Sequence, residues 1–571
     1  MNVTYHLRFP NPHTHYVEVE MLIEHIEQDI LYLKMPVWTP GSYLIREFQK
    51  NLDNVEILGK NNEKHALPKA NKNTWIVETK NEKTIRLYYA IYCFEYSVRT
   101  NFVDDEHALI NGASTFLYVD GNENTPLQIE IHPPTDWKNI STALPQKGQN
   151  KWIRVAENLD ELIDSPIEIG NHVSYFFEAA NVPHELAMFG KSNCPTEKLI
   201  ADLKKIIEEE VKIFGSHPCD NYVFVIHHTD NSFGGLEHKN SSVNHIYRWH
   251  YDPENYQSAI SLLAHEYFHL WNVKRIRPSS LIPYNYDTEN YTDLLWFFEG
   301  VTSYYDDFVC YRAGVTERNK YLEIIENTIN EVCNTAGKDT QTLAQSSYDT
   351  WLKYYRRNEN SFNAQINYYK QGAIVALFFD FVLMSFSDGK KSLDDVMKNL
   401  YADYLLHPNK GITEQSLLDT FNSISDISFT DLFQHFLHTT NNLNENNYFK
   451  LVGINLIDTN TTASIFLGLA TQVKDGKLII TQLDKNYGAY QGGLNVHDEI
   501  IAIDGFRATK DYIKIYEHKK IGDTINVMVS RQGTIKIYTI TLTQDVRKKY
   551  KIQLDENANE KQQRILLKWL G

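Results

Sequence analysis

Apolar and polar residues alternate through the first part of the chain. Val17-Glu18-Val19-Glu20-Met21 puts its apolar side chains on one face of a strand, and residues 85–92 are rich in the β-branched and aromatic types that strands favour. Between these runs the Pro40-Gly41 pair, flanked by Trp38 and Tyr43, predicts a turn. Helical periodicity is scarce before about residue 165, so residues 1–168 are expected to form an antiparallel β-sandwich.

The pattern then changes. Val223-Phe224-Val225-Ile226 reads as a short buried strand, and helical stretches are predicted over 259–274, 292–312, 318–335 and 371–386. A β part followed by a helical part predicts an α+β domain over 169–440. Residues 439–447, rich in asparagine, read as a linker. From 446 to 548 short strands return, punctuated by glycine. In the closing segment, 549–571, Asn559 and Gln562 occupy the two positions of a capping box. Ile565, Leu566, Trp569 and Leu570 then form the apolar face of a small helix.

Composition narrows what such a chain does. Its 571 residues exceed what one core serves and suggest three or four domains. An apolar fraction of 42% with 13% aromatics builds large cores and argues against disorder. The net charge of −17 repels phosphate backbones and anionic lipid, so neither nucleic acid nor a membrane is an expected partner. The five cysteines are odd in number and form no CxxC pair, which argues against a disulfide framework or a cysteine zinc site. Together with a start that is not basic and then apolar, they point to a cytoplasmic protein. Residues 372–386 are apolar but carry Asp380 and are too short for the ~30 Å of a bilayer core, so a buried helix is expected.

The strongest chemical signal is His265-Glu266-Tyr267-Phe268-His269, an HExxH sequence. Residues four apart on a helix share one face, so both imidazoles can reach one metal ion, and Glu266 stands beside it as a candidate general base. Ile260, Leu263, Tyr267 and Leu270 form the apolar stripe that supports the helix, and the histidines lie off that stripe. Catalytic zinc takes three protein ligands. Downstream, Glu299 is a lone acid among Trp296, Phe297 and Phe298, where a carboxylate needs a partner. His265, His269 and Glu299 are therefore the expected ligands of one zinc ion. Asp306, seven residues on, is either an orienting partner for a ligand histidine or a surface aspartate. Lys274, Arg275 and Arg277 are expected to serve the C-terminal end of the helix.

HEYFHLWNVKRIRP followed by WFFEGVTSYY resembles the glycyl aminopeptidase family of metallopeptidases, in which HExxH is completed by a downstream glutamate. VWTPGSYLIREFQKN resembles its N-terminal β-domain signature, and Gly234-Gly235-Leu236-Glu237-His238 its substrate motif. Residues 450–545 resemble its PDZ domain: Phe466-Leu467-Gly468-Leu469 matches the carboxylate-binding loop, and Gly493-Leu494, Asp498, Ile500, Ile503, Asp504 and Gly505 the phrase after the first helix. The resemblance implies a thermolysin-like catalytic domain, zinc, and removal of N-terminal residues from peptides, small ones such as glycine or alanine in some members. It also implies Glu237 as the anchor of the substrate's α-ammonium, with Gly234 and Gly235 leaving room for substrate backbone along a strand edge. Asn367-Tyr368-Tyr369-Lys370-Gln371-Gly372 resembles the phrase that supplies the oxyanion donor, with Tyr369 the better match and Tyr368 the alternative. Lys370 sits one place earlier than in that phrase. The PDZ loop implies either capture of a peptide C-terminus or a docked domain with a blocked groove. An endopeptidase of the same fold and an inactive PDZ scaffold are the competing readings. The second is disfavoured because both histidines, the base and the glutamate are all present.

Overall fold

The computed structural model describes residues 1–59, 61–441 and 444–571. The chain divides into two compact units, one of residues Met1–Tyr291, Tyr305–Glu317 and Met397–Ile412, the other of Thr292–Tyr304, Arg318–Val396 and Thr413–Gly571. It is a mixed α+β, multidomain protein with a β-rich N-terminal part and a helical part.

In the first unit, alternation does what it predicts. The strand Tyr16–Glu24 buries Val17, Val19, Met21 and Ile23 and leaves the residues between them half-exposed. It pairs antiparallel with Thr84–Tyr92, in a register that sets Val19 opposite Tyr89 and Met21 opposite Leu87, so both strands bury the same face. Two points differ from a simple antiparallel sandwich. Among the described residues the N-terminal β-rich part holds three sheets, of seven, four and four strands. Its first strand, Asn2–Arg8, runs parallel to Leu127–His132. Parallel neighbours need a long crossover, and most of the β-rich part is threaded between these two strands. Nothing in local periodicity carries that information.

A further sheet of the first unit has five strands, in the order Val173–Ala179, Val182–Phe189, Tyr222–Thr229, Ser241–Tyr247 and Gly234–His238. Tyr222–Thr229 is buried throughout and pairs parallel on both sides, which explains its unbroken apolar start. Gly234–His238 is the outermost strand. The helix Tyr256–Phe268 lies against this strand. The prediction carried this helix to residue 274, but it ends six residues earlier. Val273 takes φ +109°, outside helical space, and Arg275 turns back to donate to the carbonyl of Leu270 at 3.0 Å. Lys274 is also structural, since its ammonium meets Asp164 at 2.9 Å.

The expected helix over 292–312 is modified. Residues Trp296–Val301 form a π-helix that runs into Thr302–Arg312. Gly300 packs against Gly372 on the helix Tyr368–Phe386, so closely that a Cβ on Gly300 would lie 2.5 Å from the Cα of Gly372. Phe379 on the same long helix is ringed by Phe421, Phe429, Phe433 and Phe436, with centroids 5.4–5.6 Å away. The span 361–386 is long and apolar enough to cross a membrane, yet 78% of its apolar window is buried inside the protein. Residues 442 and 443, the middle of the expected linker, lie outside the described residues. Its far end is helical over Glu445–Leu451, because Phe449 is fully buried and Tyr448 stacks on Phe378 at 4.6 Å. Aromatic burial here overrides asparagine's preference for loops.

The C-terminal region of the second unit has its own core, built from Leu467, Ile480, Leu494, Ile500, Ile503, Val527 and Ile540 among others. Its main sheet runs Leu469–Lys474, Lys477–Leu483, Glu499–Ile503, Thr524–Arg531 and Thr534–Thr541. The last helix, Glu560–Leu570, carries the capping box of Asn559 and Gln562 and buries Ile565, Trp569 and Leu570.

Candidate metal centre and substrate site

The helix Tyr256–Phe268 holds its place by burying Ile260, Leu263 and Tyr267 completely. His265 lies in its last turn, and His269 follows as its C-cap, still in helical conformation. The two rings stand 4.7 Å apart and nearly perpendicular, at 87°. Each is oriented through Nδ1. His265 Nδ1 meets the carboxylate of Asp306 at 2.9 Å, and His269 Nδ1 donates to the carbonyl of Asn272 at 2.8 Å. A carbonyl only accepts, so the proton of neutral His269 is on Nδ1 and its Nε2 carries a lone pair. The same assignment for His265 follows from its carboxylate partner. Tying Nδ1 back in this way turns Nε2 into the ligand atom of each imidazole, as metal-binding histidines require.

Beside His265 the surroundings are acidic. Burial raises the carboxyl of Asp306, while its bond to His265 works the other way. Asp307, which accepts from Ser261 and Gln257, is pushed up to about 7 by burial and by the charge of Asp306. Glu210 is fully buried and raised well above the carboxylate range, first by burial and then by Asp306.

Glu266 points to the other side, toward the edge strand. One ligand-type atom each from Glu237, Glu266 and His269 lies within 4.8 Å of the others, and all three residues are buried. Two glycines make room for these carboxylates. A Cβ on Gly235 would lie 2.2 Å from Glu266 Oε1 and 2.3 Å from its carboxyl carbon. A Cβ on Gly41 would lie 2.6 Å from both carboxylate oxygens of Glu237. Gly41 also has φ +84°, which disfavours any side chain. The Pro40-Gly41 turn of the β-rich part thus forms a wall over Glu237. Gly234, by contrast, faces open space.

Glu299 lies in the second unit, in the π-helix, and is 2% exposed. Its charge is felt by Tyr368 and Tyr369, whose hydroxyls are raised first by burial and then by neighbours that include Glu299. Tyr368 is completely buried and bonded to the Thr350 hydroxyl at 2.9 Å. Tyr369 is only half-buried and stacks on Tyr368 at 4.8 Å. Lys370 pairs with Glu331. Far along the chain, Ile465–Phe466 pairs with Thr543–Gln544, and the Arg547 guanidinium lies 3.5 Å over the Phe466 ring. Leu467 and Leu469 are buried, and Gly468, at φ +75°, sits against Tyr487.

Residues 4–171 match the Peptidase M61 N-terminal domain, and residues 258–375 match the M61 glycyl aminopeptidase domain. This chain carries both domains of an M61 peptidase. The second match contains the HExxH helix, Glu299 and Tyr369, and the first contains the Pro40-Gly41 turn. The M61 chain is also similar in structure to an aminopeptidase N family protein from Idiomarina loihiensis, with a TM-score of 0.92 at 29% identity over 100% of both chains. Lower-scoring matches include an M1 zinc metallopeptidase from Deinococcus radiodurans (TM-score 0.49, 9% identity, 78% of this chain and 94% of that one). Another is yeast LTA4 hydrolase (TM-score 0.48, 14% identity, 78% and 68%). No curated protein matches the sequence.

Sequence reading of the M61 peptidase missed three contributors. The Asn272 carbonyl that orients His269 carries no residue-type signal, since any backbone offers one. Glu210 lies on a helix where it reads as one of many charges. Gly41 was legible as a turn, but its approach to Glu237 spans 196 positions and only folding reveals it.

Proposed function

We propose that the protein is a zinc aminopeptidase that removes N-terminal residues, small ones such as glycine or alanine, from peptides. The observation that carries this reading is the convergence of Glu237 and Glu266 on His269 at the open edge of a sheet. One carboxylate there serves the reaction, and the other marks where a chain must begin.

His265, His269 and Glu299 would hold the ion, the first two through Nε2. Zinc so held supplies Lewis acidity toward the scissile carbonyl and toward water. Glu266 accepts the proton of the attacking water and returns it to the leaving amine. Tyr369 donates its phenol hydrogen to the developing oxyanion, a role for which Tyr368 is unsuited because its hydroxyl is engaged by Thr350 in the core. Glu237 binds the α-ammonium, and the Gly41 turn blocks further extension of the peptide past it. The substrate backbone lies along Gly234–His238, where Gly234 faces open space. Residues 446–548 are assigned as a PDZ domain whose Phe466–Leu469 loop faces a peptide C-terminus. Its support is the positive φ of Gly468 and the burial of Leu494, Ile500 and Ile503 in one core.

The test is a panel of glycyl, alanyl and leucyl chromogenic amides beside their N-acetylated forms, with and without a chelator. Cleavage confined to free amines and lost with the chelator is expected. Equal cleavage of the acetylated set would make the protein an endopeptidase. In Glu237→Gln, KM for the free-amine substrates should rise about 10-fold or more, as a charge-assisted contact becomes a neutral one. An unchanged KM would remove Glu237 from amine recognition. In Asp306→Ala, zinc affinity measured by chelator competition should fall about 10- to 100-fold, since His265 loses its orienting partner.

A further inference from the structure

Another set of ligand-type side chains closes on itself elsewhere in the first unit. Glu168, on the strand Ile167–Gly170, meets His107 Nδ1 through Oε1 at 2.8 Å and His227 Nε2 through Oε2 at 3.0 Å. All three side chains have zero exposure, and one ligand atom from each lies within 4.8 Å of the others. They come from three separate strands: His107 from His107–Ile110 and Glu168 from Ile167–Gly170, both in the β-rich part, and His227 from Tyr222–Thr229 of the five-stranded sheet. Phe189 stacks on His107 and Tyr96 on His227, with centroids at 3.5 and 5.5 Å.

A fourth group decides how the cluster is read. His172 is 1% exposed. Its Nε2 meets Ser141 Oγ at 2.8 Å. That hydroxyl donates its own hydrogen to Glu185, so it accepts from His172, whose proton is therefore on Nε2. In the neutral ring, the form that binds a metal, the Nδ1 of His172 is then a bare lone pair. Among the described residues it has no hydrogen-bond partner, and it lies 4.0 Å from Glu168 Oε1. A buried lone pair facing a buried carboxylate is repulsive unless a cation lies between them.

We propose that Glu168, His107, His172 and His227 form a second divalent-metal site, for zinc or an ion of similar preference. Three imidazoles and one carboxylate are a zinc donor set, and Ser141 orients His172 as an outer partner does. The ion would displace the protons now shared between Glu168 and its two histidines. Full burial leaves no coordination position for substrate, so the site is structural. It ties two strands of the β-rich part to the sheet that carries Glu237.

The test is metal content of the full chain by plasma mass spectrometry after chelation, reloading with zinc sulfate and dialysis. His265→Ala/His269→Ala, which leaves the buried cluster untouched, should retain one zinc per chain, bound through imidazole and oxygen in X-ray absorption. Glu168→Gln in that background should reduce it to none. Wild type should hold two, and one in wild type retained by the double variant would support this site while removing the HExxH site. A double variant that folds with the wild-type circular dichroism spectrum and holds no zinc would overturn the proposal and leave the cluster a proton-sharing network. If Glu168→Gln fails to fold, the zinc content and absorption spectrum of the double variant decide alone.

Discussion

Glu266→Gln is expected to lower kcat on an alanyl amide by about 10³-fold, within the range general acid–base groups supply, while metal content stays that of wild type. The amide has nearly the size of the carboxylate but cannot take a proton from water. Both histidines are oriented through Nδ1 by other groups, His265 by Asp306 and His269 by the Asn272 carbonyl. The two readouts together separate loss of the base from loss of the site. Wild-type turnover in this variant would sink the assignment of Glu266 as base.

Gly235→Ala should come next in size. The added methyl would fall 2.2–2.5 Å from three atoms of Glu266, too close for any of them to stay. The side chain can swing away, so the fold should survive with little change in melting temperature. The cost appears in the chemistry: moving a reacting group by about 1 Å costs on the order of 10²-fold in rate. A cycle with Glu266→Gln gives the sharper answer. If Gly235 acts only by letting Glu266 sit where it does, the double variant should be no slower than Glu266→Gln alone. Additive losses would mean that the methyl obstructs substrate on the strand instead.

Local patterns carried some of this molecule and not the rest. Period-two alternation at Val17 to Met21 and the capping box at Asn559 and Gln562 are short-range, and the structure has both. The helical spacing of His265 and His269 was equally legible, because four residues on a helix define one face. The end of that helix was not, because it depends on Arg275 folding back to Leu270. The parallel pairing of Asn2–Arg8 with Leu127–His132 and the meeting of Gly41 with Glu237 join positions more than a hundred residues apart. So does the meeting of His107 with His227, through Glu168. Such pairings leave no periodic trace. Asparagines 444, 446 and 447 gave a misleading signal for a linker where aromatic packing makes a helix.

The wall that Gly41 builds over Glu237 bears on modularity. The β-rich part has its own sheets and its own core and would pass for a detachable accessory. Yet a fragment starting after residue 171 would keep the HExxH helix, the edge strand and both carboxylates while leaving Glu237 uncovered on one side. Such a fragment, if it folds, should lose its bias toward free amino termini before it loses the capacity to hydrolyse. Selectivity in this protein is then a property of two segments together, and grafting either one alone onto another scaffold would not carry it across.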